Sequence, residues 1–257
     1  MRYFDGGHRG PFAKPFAMRL AVCTTAFDRA LAAGDLTQLE LIELCARKFG
    51  VDGIVLDIAH FPRRDDEYVA QLKKLAADLA LTIAAVRDDA LTSRNSDALD
   101  IAGGLGAPYV LTRMPESGTD PVTAYNAALA SLAHAAAEAK RVNVTMALRN
   151  VPGSLAADAF ELGRVRKEAD TAWLRFAVDV DALEESPDEK LRKQIVVAYA
   201  SQASSKTRLL AALPNFPGFV CLDDENPVRI DAWRAALARQ VLGTGVAASV
   251  ADPHVPS

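Results

Sequence analysis

Metal and redox chemistry have little to work with in this chain. Its 257 residues include four histidines and three cysteines, and Cys23, Cys45 and Cys221 show no CxxC spacing. Odd in number and scattered, they read as reduced, mostly buried thiols of a cytoplasmic protein. No apolar run reaches the roughly 18 residues that a membrane span needs, so no membrane partner is expected. The opening stretch MRYFDGGHRGPFAKPF has basic residues but no continuous apolar core, and is not expected to act as a signal peptide. A GxSxG elbow is missing, which leaves nucleophilic hydrolysis without support. A net charge of −4 argues against a general nucleic-acid surface.

What is present is a chain that is 50% hydrophobic, enough for one large domain. Short apolar runs alternate with helix-period segments almost to the end. The strand candidates are 19–24, 53–57, 82–87, 108–113, 144–149, 175–179, 195–201 and 219–223. Helical patterns fall at 37–49, 66–80, 96–105, 120–141, 156–169, 187–194, 204–213 and 227–242. Strands that are apolar throughout and alternate with helices indicate a parallel sheet covered on its outside. Eight such units predict an α/β fold, a single (β/α)₈ TIM barrel over residues 19–243. An open doubly wound sheet is the alternative, but no GxGxxG turn follows the first strand. Residues 1–18 form an amino-terminal arm and 244–257 a carboxyl-terminal tail. Asp35 or Thr37, Asp65, Asp120 with Pro121, and Asn226 with Pro227 supply helix caps, and Gly50, Gly106 and Gly243 stand where helices should stop.

The strand ends are charged. Three successive strands close on Arg87, Arg113 and Arg149, and three others on Asp57, Asp179 and Asp223. In a parallel barrel all six reach the carboxyl-terminal mouth, where such barrels carry their chemistry. Side chains alternate along a strand, so Arg149 shares a face with Ala147, Asp179 with Ala177, and Asp223 with Cys221. The opposite faces are bulky and apolar and should meet the helices, which turns the charges inward. The alternation is less clean in the third and fourth strands, where Ile83 and Leu111 share the arginine face. Two readings follow. The arginines either recognise a carboxylate or phosphate, or they form an internal salt-bridge lattice with the aspartates. Asp88, Asp89, Asp224 and Glu225 follow the strand ends as further counter-charges. His60, just beyond the second strand, is a candidate general acid or base or else an ordinary loop residue. His8 lies in the arm, and His134 reads as a packing residue of a helix.

Several segments carry a family likeness. VDGIVLD, LGAPYVLTRMP, VTMALRNVPG, FAVDVDAL and LLAALPNFPGFVCLD resemble, in order, motifs of the xylose isomerase-like TIM barrels. That superfamily includes sugar-phosphate isomerases and epimerases and AP endonucleases. The resemblance implies a barrel from about residue 19 to 243 and, in typical members, a divalent metal held by Glu, Asp, His and Glu from strands five to eight. Here those positions depart from the pattern. Arg149 replaces the first Glu, Val151 and Ala182 replace histidines, Asp179 survives, and Asp223 stands for the last Glu. Arg113 takes a histidine position of strand four, and Val55 a Glu position of strand two. Several cations with one or two carboxylates do not make a tight metal site, so no metal and no cofactor is expected.

Two functions remain open. One is a metal-independent isomerase, epimerase or lyase for a small anionic, sugar-like ligand. In it Arg87, Arg113, Arg149 and Asp57 bind the ligand, and Asp179, Asp223 or His60 carries protons. The other is a non-catalytic descendant that binds a small anion or a partner protein. Substrate and oligomeric state are not legible.

Overall fold

The computed structural model describes residues 19–90, 96–183, 185–201, 213 and 216–223. The arm 1–18, the tail 244–257, His8, Asp224, Glu225 and the helical segments expected at 204–213 (Leu213 apart) and 227–242 lie outside the described residues. Eight parallel strands close into one barrel in sequence order. They are β1 (Arg19–Cys23), β2 (Gly53–Asp57), β3 (Thr82–Arg87), β4 (Tyr109–Arg113), β5 (Thr145–Arg149), β6 (Leu174–Asp179), β7 (Ile195–Ala200) and β8 (Phe219–Leu222). The ring closes where Ala21 of β1 pairs with Cys221 of β8. Among the described residues no helix is long and apolar enough to cross a membrane.

Helix ends follow local chemistry. A helix absent from the sequence reading, α1 (Asp28–Ala33), comes first and stops at Gly34, whose φ of 75° suits a residue without Cβ. The next, α2 (Gln38–Glu43), starts at a capping box in which the Thr37 side chain accepts from the Glu40 amide and Glu40 reaches back. Thr37, not Asp35, is therefore the cap. The expected helix 37–49 does not stay α-helical, because Leu44–Phe49 widens into a π turn. Asp65 caps α3 (Asp66–Asp78), and Asp120 with Pro121 opens α5 (Pro121–Arg141), behind α4 (Ser96–Leu105). Asp158 caps α6 (Ala159–Ala169), three residues later than the periodicity suggests, and α7 (Glu189–Arg192) is a single turn.

Two apolar compartments result from the alternation. The outer one packs Met146, Leu148, Phe176, Val178, Val220 and Leu222 against helix residues such as Leu72 and Leu132. The inner one fills the barrel with Ala21, Cys23, Val55, Ala84, Ala85, Leu111, Ala147, Ala177, Val197, Tyr199, Phe219 and Cys221. The unclear face of β3 is resolved by a register shift. Ile54 pairs with Ile83 but Val55 with Ala85, so Ile83 points outward while Ala85 and Arg87 point in. Leu111 does share the inward face of Arg113.

The lower end of the lumen is tight. A Cβ on Gly53 would stand 2.7 Å from Phe219 Cε1 and 3.1 Å from the Thr82 carbonyl oxygen, and Phe219 is itself held under the Arg19 guanidinium at 4.1 Å. Gly53→Ala should therefore destabilise the barrel by about 1–3 kcal/mol, the usual range for overpacking. Urea unfolding of the two proteins checks this; equal midpoints would mean that Phe219 swings aside freely.

Candidate functional site

All six charged strand ends reach the carboxyl-terminal mouth, and five of them, with Asp89 from the loop after β3, form one alternating network. Arg149 Nη1 lies 3.1 Å from Asp223 Oδ2 and its Nη2 3.5 Å from Asp179. Arg87 reaches Asp223 at 3.4 Å, Asp57 at 3.5 Å and Asp89 at 2.7 Å. Asp223 thus accepts from two guanidinium groups, and its other oxygen takes the Thr25 hydroxyl. The salt-bridge lattice anticipated as one of two readings is built. Arg113 stands apart from it. Its one ion-pair contact among the described residues is Asp89 at 3.9 Å, and its side chain is 34% exposed against 12% for Arg149.

The floor explains how Arg149 tolerates burial. Its guanidinium stacks 3.9 Å over the ring of Tyr199, itself buried on β7. Arg87 meanwhile leans on the Cys23 sulfur at 3.9 Å and the Thr25 hydroxyl at 3.3 Å. Burial works against charge on both arginines. The Asp89 hydrogen bond and the other groups around it together more than reverse this for Arg87, as Tyr199, Asp223 and Asp179 together do for Arg149, so both stay ionised. The carboxylates divide. Burial raises Asp57 above the ordinary range, and the Ala59 amide and Arg87 offset it only in part. Asp88 is likewise raised by burial. Burial also opposes ionisation of Asp89, but the bonds from Arg87 win and hold it below the ordinary range.

His60 belongs to the edge of this network. Its Nδ1 lies 2.8 Å from the Thr24 hydroxyl and its Nε2 2.9 Å from the Asp28 carboxylate, so both ring nitrogens tie the turn after β2 to the turn after β1. Residues that the sequence reading missed complete the mouth. Asn150, fully buried, accepts from the Asp179 amide at 2.7 Å and donates to the Ala157 carbonyl, which fixes the ends of β5 and β6. Asp181 accepts from the Ser201 hydroxyl at 2.8 Å. Tyr199 had a signal, since it shares the inward parity of Val197 in an otherwise aliphatic strand. Thr25 and Asn150 had none beyond their position next to strand ends.

No protein-family model matches the sequence, and no curated protein is similar to it. Solved structures are similar in fold. A D-psicose 3-epimerase superposes with a TM-score of 0.70 at 12% identity, over 90% of this chain and 100% of that one. The probable 3-DHS dehydratase AsbF of Bacillus anthracis gives 0.67 at 13%, over 87% and 99%. A xylose isomerase domain-containing protein of Salmonella typhimurium LT2 gives 0.63 at 12%, over 88% and 95%. The chain has the fold of the xylose isomerase-like TIM barrels. Identities this low carry the fold and nothing finer.

Against the metal site that this family resemblance implies, the donor set does not fit. The two surviving acidic positions, Asp179 and Asp223, hold between them the Arg149 guanidinium, a cation already in contact with both. Among the described residues no group of three or more His, Cys, Asp or Glu side chains is placed to hold an ion. No step of chemistry is therefore routed through a metal.

If pairing sets the energetics of the mouth, Arg149→Ala should destabilise the protein by about 3–5 kcal/mol, because it leaves buried carboxylates short of a partner. Adding Asp223→Ala to it should cost much less than Asp223→Ala does alone, giving a coupling of roughly 0.5–3 kcal/mol in a double-mutant cycle. Additive losses measured by chemical denaturation would show that the two charges do not depend on each other.

Proposed function

We propose that the mouth binds a small sugar-like anion, a carboxylate or phosphate, and that the protein is a metal-independent isomerase, epimerase or lyase acting on it. The observation that carries the reading is the incomplete pairing of Arg113. This guanidinium has a third of its side chain in solvent and, among the described residues, a single 3.9 Å ion-pair contact, to Asp89, which Arg87 already holds at 2.7 Å. Most of its donors are thus available to an incoming anion, at the end of the barrel where chemistry is expected. Arg87 and Arg149 serve a different purpose, as the charged floor that would face an enediolate-like intermediate. A 3-epimerase and a probable dehydratase among the structural neighbours support this class of reaction.

A binding protein without catalysis is the second reading. It is favoured by Asp223, which is engaged by Arg87, Arg149 and Thr25 and has little freedom to move protons.

Thermal shift against sugar acids and sugar phosphates tests the common part. A ligand at 100 times its Kd should stabilise the wild type by about 2.7 kcal/mol. Arg113→Ala should lose that shift yet keep its ligand-free stability within about 0.5 kcal/mol, as an exposed, weakly paired residue does. If no anion stabilises the wild type, or if Arg113→Ala responds equally, the anion site is wrong. Incubating a binding ligand in D₂O separates the two readings, since an isomerase or epimerase exchanges a carbon-bound hydrogen and a binding protein does not.

A further inference from the structure

Arg87 serves three carboxylates unequally. To Asp89 it presents an edge, with Nη2 2.7 Å from Oδ2 and Nε 3.2 Å from Oδ1. Asp57 gets only a lateral 3.5 Å approach to the same Nε. The remaining Nη1 points to Asp223, which Arg149 and Thr25 also hold. A guanidinium whose edge is committed to one carboxylate has little left for a second. Asp57 is thus the weakest-held of the three carboxylates on Arg87, and it is more deeply buried than Asp179, which lies at the same 3.5 Å from Arg149 but is 27% exposed against 15%.

From this geometry we infer that Asp57 is the residue of the mouth that takes up and releases a proton, in place of Asp179, Asp223 or His60. The inference rests on the reading of the mouth as a ligand site and adds the identity of its acid–base group. Every neighbour of Asp57 fits the role. Its Oδ1 accepts the Ala59 amide at 2.9 Å, so the carboxyl stays oriented whether or not Oδ2 carries a proton. Its own amide is held by the Thr24 hydroxyl at 2.8 Å. His60 stands next to it but has both nitrogens occupied. Asp89 and Asp88 add negative charge nearby, which favours the protonated form, while the Ala59 amide, Arg87 and His60 oppose it. Burial adds to the same tendency. Two carboxylates on one arginine, one pushed above the ordinary range and the other held below, make an acid beside a fixed anion.

The proton transfer is simple in its balance. Protonated Asp57 gives its proton to the ligand and becomes a carboxylate facing Arg87 and the Ala59 amide; the reverse step removes a proton from the ligand and restores the neutral acid.

Carboxyl-carbon NMR titration of the full chain, with Asp57 assigned through its backbone connectivity and by its loss in Asp57→Asn, tests the inference. Asp57 is expected to titrate above the ordinary Asp value of about 3.9, with Asp89 below it. The linked stability has a definite sign. A raised folded-state pKa gives a contribution present below the unfolded value and lost as pH rises through the folded one. The melting temperature of the wild type minus that of Asp57→Asn should accordingly fall as pH rises above about 4. An Asp57 that titrates at or below the ordinary value, with no such trend, overturns the assignment. The outcomes stay separable from the ligand reading. A raised Asp57 in a protein that no anion stabilises would leave this inference standing and remove that reading. Anion binding that depends on Arg113 beside an ordinary Asp57 would do the reverse.

Discussion

A guanidinium taken out of water must find a carboxylate or an aromatic face, and Arg149 has both. Its pairs with Asp179 and Asp223 join the ends of three strands, β5, β6 and β8, across the mouth of the barrel. Beneath it, the Tyr199 ring at 3.9 Å replaces the water that the buried cation lost. Remove this contact set and, among the described residues, Asp223 keeps Arg87 and the Thr25 hydroxyl, while Arg87 already has Asp89 and Asp57 to satisfy. The rest of the mouth is arranged around that shortage of positive charge. Four aspartates, 57, 89, 179 and 223, share two well-buried arginines and the half-engaged Arg113, and the carboxylate left with the poorest share is the one whose proton is easiest to keep.

Long charged side chains fit into a barrel end only if the lumen beneath them is shallow, and the inner face is built for that. Ala21, Ala84, Ala85, Ala147 and Ala177 line it where branched residues usually fill such barrels. Volume surrendered by the alanines is taken up by Tyr199 and Phe219 and by the arginines leaning in from above. The closeness of Gly53 to Phe219 shows the same trade at the other end, where one aromatic ring needs a strand residue with no side chain.

Much of this was legible in the sequence because it obeys period two. Arg149, Asp179 and Asp223 could be turned inward from the identities of Ala147, Ala177 and Cys221 alone, and the order of strands and helices gave the barrel. The irregularities were not legible. The extra residue in β3 that sends Ile83 out and Arg87 in has no local signature, and the helix over Asp28–Ala33 is too short for periodicity to speak. The candidate site divided in the same way. That six charges share one end follows from the pattern, but the partner each arginine takes depends on side-chain geometry across strands far apart in sequence, such as β3 and β8. Composition of the strand ends had suggested an anion-friendly mouth. Pairing consumes Arg87 and Arg149, so the proposed anion contact falls to Arg113.

A guanidinium lying between the carboxylates at positions 179 and 223 also limits which chemistry the mouth can support. It offers a delocalised, fixed positive charge with directed N–H donors, and so can stabilise an oxyanion that forms within its plane. It cannot open a coordination position or make hydroxide from water as a bound divalent ion does. A reaction at this mouth must therefore proceed by proton transfer between the ligand and a carboxyl group, with the arginines holding the charge that develops. Such a site needs one acid that is neither locked in an ion pair nor fully solvated. Asp223 fails the first condition through Arg149, Arg87 and Thr25, Asp89 fails it through the edge-on grip of Arg87, and Asp179, paired no more closely than Asp57, is the more open to solvent, 27% exposed against 15%. Asp57 combines a 3.5 Å approach to an arginine already gripping Asp89 with a side chain only 15% exposed, and so comes nearest to meeting both conditions in the described network.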